Sequence, residues 1–252
     1  MSRYKNLVCI PVINEKPNLE ILLKKIFEIP FDGSVLIIDD GSTDGTSELI
    51  SQYGKELDYQ VQIHYDYSPN RRGIGNSHKI AMQFAEENGY RYLCTMDGDL
   101  THDPSYLPQM IEILDRDPGI DLVIGSRFLD NSELSNWPVQ RVALTNLGHI
   151  LTRTFLGMKE DCSSGLRAYR VTTVPQKTIH GFHMSSYDFF FKSAFLYKKL
   201  NLKIREIPVT LYARDAGKSK MQVKDLIVGF LGVILFRVKA KKVAPQNQEI
   251  KS

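Results

Sequence analysis

The sequence predicts an α/β domain of Rossmann-like type, and three observations carry the prediction. Leu7-Val8-Cys9-Ile10 and Val35-Leu36-Ile37-Ile38 are short, β-branched and apolar on both faces, as strands of a helix-covered parallel sheet must be. Stretches of helical periodicity separate such runs. Acidic, glycine-containing segments follow them, at the strand ends where an open sheet of this kind places its ligands.

The elements follow in chain order. Leu19, Leu22, Leu23 and Ile26 repeat at helical spacing after Asn18 and complete a βαβ unit. A helix is expected from about Thr46 to Tyr53, a strand around Val61 to Tyr65, and a helix from about Asn76 to Glu87. Arg91 to Met96 and Asp121 to Ile124 read as strands flanking a helix that contains Met110, Ile111 and Leu114. After Arg127 a polar segment with Asn131, Ser132 and Ser135 leads into a helical stretch from about Gln140 to Leu156, expected to cover the site beside the sheet. Gly165 to Tyr169 is expected as a strand, Tyr187 to Leu200 as a helix and Ile204 to Val209 as a strand.

Composition bounds the class. Of 252 residues, 42% are hydrophobic and 24% charged, which fits one globular domain and excludes disordered and fibrous chains. A net charge of +3 is too small for a nucleic-acid binder unless clustered. Cys9, Cys94 and Cys162 lack the spacing of a zinc site or a disulfide framework, so a reduced, cytoplasmic setting is expected. Met1 to Asn6 lacks the apolar stretch of a signal peptide. The one long apolar run, Leu226 to Phe236, would rise only ~16 Å as a helix against a bilayer core of ~30 Å, so no transmembrane helix is expected. Lys218, Lys220 and Lys224 precede it, and Arg237, Lys239, Lys241 and Lys242 follow it. That pattern suits a helix lying in the headgroup region of an anionic membrane; the competing reading packs it on the domain or on a second copy. The expected division is a domain over 1–220, an amphipathic interfacial helix over 221–242 and a polar tail over 243–252.

Four segments could carry chemistry. Asp39-Asp40-Gly41-Ser42-Thr43-Asp44-Gly45-Thr46 closes the second strand, where a carboxylate can accept hydrogen bonds from a base or ribose; the competing reading is a turn in which Asp44 or Ser42 caps the next helix. Asp97-Gly98-Asp99 ends another strand, and two carboxylates on one irregular turn can reach a hard divalent ion and a diphosphate. Arg71-Arg72-Gly73-Ile74-Gly75-Asn76 could cradle a phosphate on backbone N–H groups or be a simple flexible turn, and its GxG pattern is too incomplete for a nicotinamide cofactor. Arg214-Asp215-Ala216-Gly217-Lys218-Ser219-Lys220, after Glu206-Ile207-Pro208-Val209, places cations around a glycine, which suits a loop closing over a diphosphate.

In their order along the chain, with Pro11-Val12-Ile13-Asn14-Glu15, Gly125-Ser126-Arg127 and Cys162-Ser163-Ser164-Gly165-Leu166-Arg167-Ala168-Tyr169, these segments resemble the inverting family-2 nucleotide-sugar glycosyltransferases. Within them they are similar to the dolichyl-phosphate or polyprenyl-phosphate mannosyl- and glucosyltransferases. The resemblance implies a GT-A fold with a mixed, mostly parallel sheet, a donor of the GDP-mannose or UDP-glucose type, Mg²⁺ or Mn²⁺, and a peripheral place on the cytoplasmic face of a membrane. By position it implies that Pro11, Ile13, Glu15, Ile38 and Asp40 line the nucleotide pocket, with Asp97, Gly98 and Asp99 at the diphosphate and Asp97 and Asp99 on the metal. It assigns Arg127, Arg214 and Lys220 to the donor and phosphate sites, and Trp137 to Arg141 with Thr145 to the acceptor phosphate, Arg141 as its cation. Two positions depart from the pattern: Ile13 stands where Tyr is frequent, and Lys192 where the lipid-phosphate group usually has Glu.

A sugar-hydroxyl acceptor needs a general base. Related sugar-glycosylating enzymes carry an adjacent Glu-Asp pair where this chain has Ser185-Ser186, with Asp188 as the nearest acid. A lipid phosphate is already anionic and needs only cations, so a polyprenyl-phosphate acceptor is the leading expectation. The alternatives are transfer to a glycan or lipid-linked oligosaccharide hydroxyl with Asp188 as base, and an inactive nucleotide-sugar-binding protein. The intact Asp40, Asp97, Asp99, Arg127 and Lys220 speak against the last.

Overall fold

The computed structural model describes residues 5–56, 62–213, 232, 236 and 237. The elements in order are β1 (Asn6–Val12), α1 (Lys16–Glu28), β2 (Gly33–Asp39), α2 (Thr46–Glu56), β3 (Ile63–Tyr67), α3 (Ile74–Glu87), β4 (Tyr92–Thr95), α4 (Tyr106–Arg116), β5 (Leu122–Ser126), β6 (Glu133–Ser135), α5 (Val139–Leu156), β7 (Arg167–Arg170), α6 (Gln176–His180), α7 (Asp188–Lys199), β8 (Ile204–Pro208) and β9 (Thr210–Tyr212). The main sheet runs β3-β2-β1-β4-β7-β5-β8. Its neighbours are parallel except at β7, which is antiparallel to both β4 and β5. β6 and β9 form a separate parallel pair.

The strand parity explains why β1 and β2 are apolar throughout. Val8, Ile10, Val35 and Ile37 point to one face, where they pack with Leu19, Leu22, Leu23 and Ile26 of α1, Leu49 and Ile50 of α2, and Met110 and Leu114 of α4. Leu7, Cys9, Leu36 and Ile38 point to the other, under Ala81, Met82 and Ala85 of α3 and Phe189, Leu196 and Tyr197 of α7. Each fully buried Leu, Ile, Val or Phe contributes about 1.5–3 kcal/mol, so this double-sided core fixes the sheet.

Some boundaries differ from the sequence expectation. α1 begins at Lys16 rather than after Asn18, because Pro17 fits a first helical turn whose N–H groups have no intrahelical acceptor. β3 begins at Ile63, where it pairs with Val35, and extends to Tyr67. The short elements β6, β9 and α6 lack a periodicity long enough to read.

Arg214, Lys220 and most of the 221–242 segment lie outside the described residues. Of that segment, Phe236 is 4% exposed and packs against Phe182, with ring centres 4.8 Å apart, and against Phe195 at 6.3 Å. Arg237 hydrogen-bonds the carbonyl of Phe155. At Phe236 and Arg237 the basic-flanked run therefore touches the domain. Among the described residues no helix is long and apolar enough to cross a membrane.

Candidate active site

The strand order reverses beside β1: β2 and β3 lie on one side and β4 on the other, so a crevice opens at the carboxyl ends of these strands. A cleft of about 760 Å³ occupies it. The end of β1 supplies Pro11, Val12, Ile13 and Glu15, and the end of β2 supplies Asp40. Asp97, Gly98 and Asp99 come from the turn after β4, and Arg127 from the turn after β5. Trp137, Arg141, Leu144, Thr145 and Gly148 recur at helical spacing along α5 and its entry, so one stripe of that helix borders the cleft as expected. Of the residues expected to line the nucleotide pocket, Ile38 does not: it is fully buried in the core beneath α3, because its strand position points it into the sheet's packed face.

Two adjacent acids after an apolar strand require partners, and both have them. Asp39 is fully buried, accepting from the Ser42 N–H at 2.8 Å and the Tyr65 hydroxyl at 2.9 Å. Burial chiefly, and then the Asp39 carboxylate, push the Tyr65 hydroxyl up to about 12. Asp40 accepts from Arg72 Nε at 3.1 Å and the Gly73 N–H at 2.8 Å, while Arg72 also pairs with Asp66 at 2.9 Å. Asp44 is a helix cap, accepting from the Thr46 N–H at 3.1 Å and its hydroxyl at 2.6 Å, and it ties the two loops together by accepting the Lys16 N–H at 2.9 Å.

Asp97 and Asp99 differ in setting. The side chain of Asp97 is 35% exposed and borders the cleft, and the Asp97 N–H donates to Nδ1 of the buried His102 at 3.0 Å. That bond fixes His102 as the Nε2–H tautomer. Asp99 is 4% exposed, and its Oδ1 accepts from the Thr101 N–H and hydroxyl at 3.1 and 2.6 Å. Gly165 closes the other side; a Cβ there would stand 3.2 Å from Asp97 Oδ1. Carboxylate oxygens on a rigid turn at an open cleft fit a hard divalent ion such as Mg²⁺ or Mn²⁺. Among the described residues no cluster of three or more metal-binding side chains gathers, so an ion here would draw further ligands from a bound diphosphate and water.

Arg127, expected among the donor and phosphate cations, borders the cleft already paired. Its guanidinium is paired with Asp161, Nε to Oδ2 at 2.8 Å and Nη2 to Oδ1 at 2.7 Å, and also bonds the Ser163 hydroxyl. Asp161 is fully buried. Burial alone would raise its pKa, and the Arg127 charge and hydrogen bonds overcome it and hold the carboxyl below its usual range. The pair anchors the segment carrying Ser163, Ser164 and Gly165, which lines the cleft beside Asp97. Arg167, fully buried, holds the same segment from behind by donating to the carbonyls of Ser164 at 2.8 Å and Cys162 at 2.9 Å.

The Gly73-Ile74-Gly75 turn is likewise not an open cradle. A Cβ on Gly73 would stand 2.3 Å from the Ser185 carbonyl oxygen, and one on Gly75 2.1 Å from that of Met184. The Gly75 N–H donates to Ser185 O at 3.1 Å. These glycines exist so that the segment before α7 can lie directly on the start of α3. Asp188, on that segment, borders the cleft but forms an ion pair with Lys192 one helical turn later, so both of its oxygens are engaged: Oδ1 accepts the Ser186 N–H at 3.1 Å. An acid held this way meets the cleft as half of an ion pair rather than as a free carboxylate.

Two contributors escape the sequence: Asp161 and His102. Asp161 directly precedes the Cys162–Tyr169 motif, and His102 lies three residues after Asp99; position beside a motif was their one signal.

Residues 7–175 match the model of glycosyl transferase family 2. An undecaprenyl-phosphate mannosyltransferase of Micrococcus luteus is 31% identical over 216 residues, covering 85% of this chain and 86% of that protein. A polyprenol monophosphomannose synthase of Mycolicibacterium smegmatis is 28% identical over 223 residues, covering 88% and 83%. Glucosyl-3-phosphoglycerate synthase from Mycobacterium tuberculosis, solved with Mn²⁺, UDP and phosphoglyceric acid, superposes with a TM-score of 0.64 at 19% identity over 97% of this chain and 81% of its own. That likeness establishes the GT-A fold.

Proposed function

The chain belongs to glycosyl transferase family 2, and from that premise we propose that it transfers mannose from a nucleoside-diphosphate sugar, with inversion and with Mg²⁺ or Mn²⁺, to a polyprenyl phosphate. The observation that carries the acceptor half is Asp188: the acid nearest the acceptor side is locked to Lys192, whereas α5 presents Arg141 and Thr145 to the cleft. The relatives named for undecaprenyl-phosphate and polyprenol-phosphate mannosyl transfer support the same reading.

Donor binding falls to the β1 and β2 ends, where Pro11 and Ile13 offer apolar surface and Asp40 a carboxylate held rigid by Arg72 and Gly73. Asp97 and Asp99 would hold the metal, which when bound neutralises charge on the departing diphosphate. Arg141 lies with its guanidinium 4.3 Å from the centre of the Trp137 ring. That stacking fixes a planar cation for bidentate contact with the acceptor phosphate. A phosphate oxygen attacks the anomeric carbon, the bond from that carbon to the diphosphate oxygen breaks, and its electron pair leaves with the nucleoside diphosphate. The attacking oxygen carries no proton, so the protein has only to orient the two phosphates and exclude water. The segment over 221–242 with Arg214 and Lys220 belongs to this proposal as the membrane-facing and diphosphate-closing part of the chain.

The test is to incubate the full chain with Mg²⁺ or Mn²⁺, undecaprenyl or dolichyl phosphate and a panel of labelled nucleotide sugars. Label from a mannose donor should enter the lipid with release of nucleoside diphosphate. Label entering a glycan hydroxyl instead, or no lipid product with any donor, overturns the reading.

A further inference from the structure

Lys192 lies inside the protein, with its side chain 11% exposed. Its ammonium bonds Asp188, donates to the His183 carbonyl at 3.3 Å and lies 5.6 Å from the centre of the Phe236 ring. Lys79 of α3 reaches the same corner: it is 9% exposed and donates to the Phe182 carbonyl at 2.7 Å. Burial draws the Lys79 pKa down, while Asp188 opposes that shift and Lys192 adds to it. Two ammoniums therefore meet one carboxylate beneath the segment that borders the cleft with Ser185, Ser186 and Asp188.

Burying a lysine costs several kcal/mol unless it is paired and hydrogen-bonded, so this corner is held together as a unit. Its charge balance has a consequence for ligands. A bare carboxylate at the cleft would repel an incoming phosphate, and like-charge juxtaposition is a strong means of excluding a ligand. We propose that Lys192 is a positioning and specificity residue: by holding Asp188 as its counter-charge it gives this side of the cleft a net positive character that admits an anionic acceptor. The inference rests on the reading of the acceptor as a phosphate. The Phe236 ring lies beside the Lys192 ammonium and shields the pair.

The experiment compares acceptor and donor KM and kcat for the full chain and for Lys192→Met, Lys192→Arg, Asp188→Asn and the Lys192→Met/Asp188→Asn double variant, with undecaprenyl phosphate in detergent micelles. Lys192→Met should raise the acceptor KM on the order of ten-fold, the scale of one unpaired charge at a partly buried site, and leave the donor KM unchanged. Lys192→Arg should restore it. Asp188→Asn should move the acceptor KM the opposite way, and the double variant should fall between the singles. Loss of a general base would instead cost kcat about 10²-fold or more, which Asp188→Asn should not show. The proposal is overturned if the two single variants shift acceptor KM in the same direction, if donor and acceptor KM move together, or if Asp188→Asn loses kcat on that scale. Thermal melting identifies a variant that fails to fold, in which case Lys192→Arg and Asp188→Asn decide. Should the wild type use only an uncharged acceptor, the functional reading fails. The proposal then falls with it, whereas the KM patterns above, seen with a phosphate acceptor, overturn the proposal alone.

Discussion

Replacing Asp161 by Asn isolates the buried ion pair that frames the cleft. The carboxylate accepts from Arg127 Nε at 2.8 Å, Arg127 Nη2 at 2.7 Å, the Arg127 N–H at 3.1 Å, and the N–H and hydroxyl of Ser163 at 3.2 and 3.1 Å. An Asn side chain offers one acceptor oxygen, and its NH₂ would face a guanidinium that has only donors. The variant therefore leaves the Arg127 charge buried and unpaired, which costs about 3–5 kcal/mol. For a domain of this size each kcal/mol shifts Tm by about 2–4 °C, so Tm should fall by roughly 6–20 °C. Replacing both partners with Met and Leu should cost less than either single change, because no unpaired charge remains. The acid limb gives a second check. Asp161 is held below its ordinary carboxylate pKa, so its stabilisation is full above the unfolded value near 3.9 and is lost as pH falls through the lower folded value. The Asn variant should lose that dependence. Differential scanning calorimetry from pH 3 to 7 measures all three effects; a cost below about 1 kcal/mol, as for an exposed pair, would refute the reasoning.

Four further outcomes follow from named contacts. Asp97→Asn should abolish transfer with little change in Tm, because the side chain is 35% exposed; retained metal-dependent activity would remove Asp97 from the diphosphate site. Asp99→Ala, by contrast, should also lower Tm, since Asp99 is 4% exposed and caps Thr101. Gly75→Ala places a methyl 2.1 Å from Met184 O, so the segment before α7 must shift, costing about 1–3 kcal/mol and raising the acceptor KM more than the donor KM; an unchanged melting curve would contradict the close approach. His78 is fully buried, stacked on Phe189 at 5.0 Å with no partner for either ring nitrogen among the described residues, and burial first, then Arg167, lowers its pKa to about 3. Its folded pKa lies below the unfolded 6.5, so this histidine destabilises the fold increasingly as pH falls from about 6.5 toward 3. His78→Phe should be as stable or more so at pH 7 and lose less stability at pH 5 in urea titrations; equal pH dependence would refute the assignment.

The local chemistry of the chain determined more than its element boundaries. β1, β2 and β4 are legible because a strand buried on both faces must be a continuous apolar run, and Asp39–Asp40 and Asp97–Asp99 are legible because polar groups directly after such runs must emerge at the sheet's edge. Arg141 and Thr145 are legible through the family resemblance, and their spacing of four residues puts them on one face of α5.

What tertiary structure decided was pairing across long separations. A short strand carries no mark of direction, so the antiparallel entry of β7 between β4 and β5 depends on neighbours that its four residues do not encode. The same holds for charges. In the sequence Arg127 and Asp188 are a cation and an acid available to a ligand; in the fold each meets an opposite charge, Asp161 34 residues away and Lys192 one turn along a buried helix face. Desolvation makes an unpaired charge at either place costly, and so the packing that buried them also fixed their partners. Gly73 and Gly75 show the same division, their spacing visible in the chain and their reason supplied by the carbonyls of Ser185 and Met184 that come to lie against them.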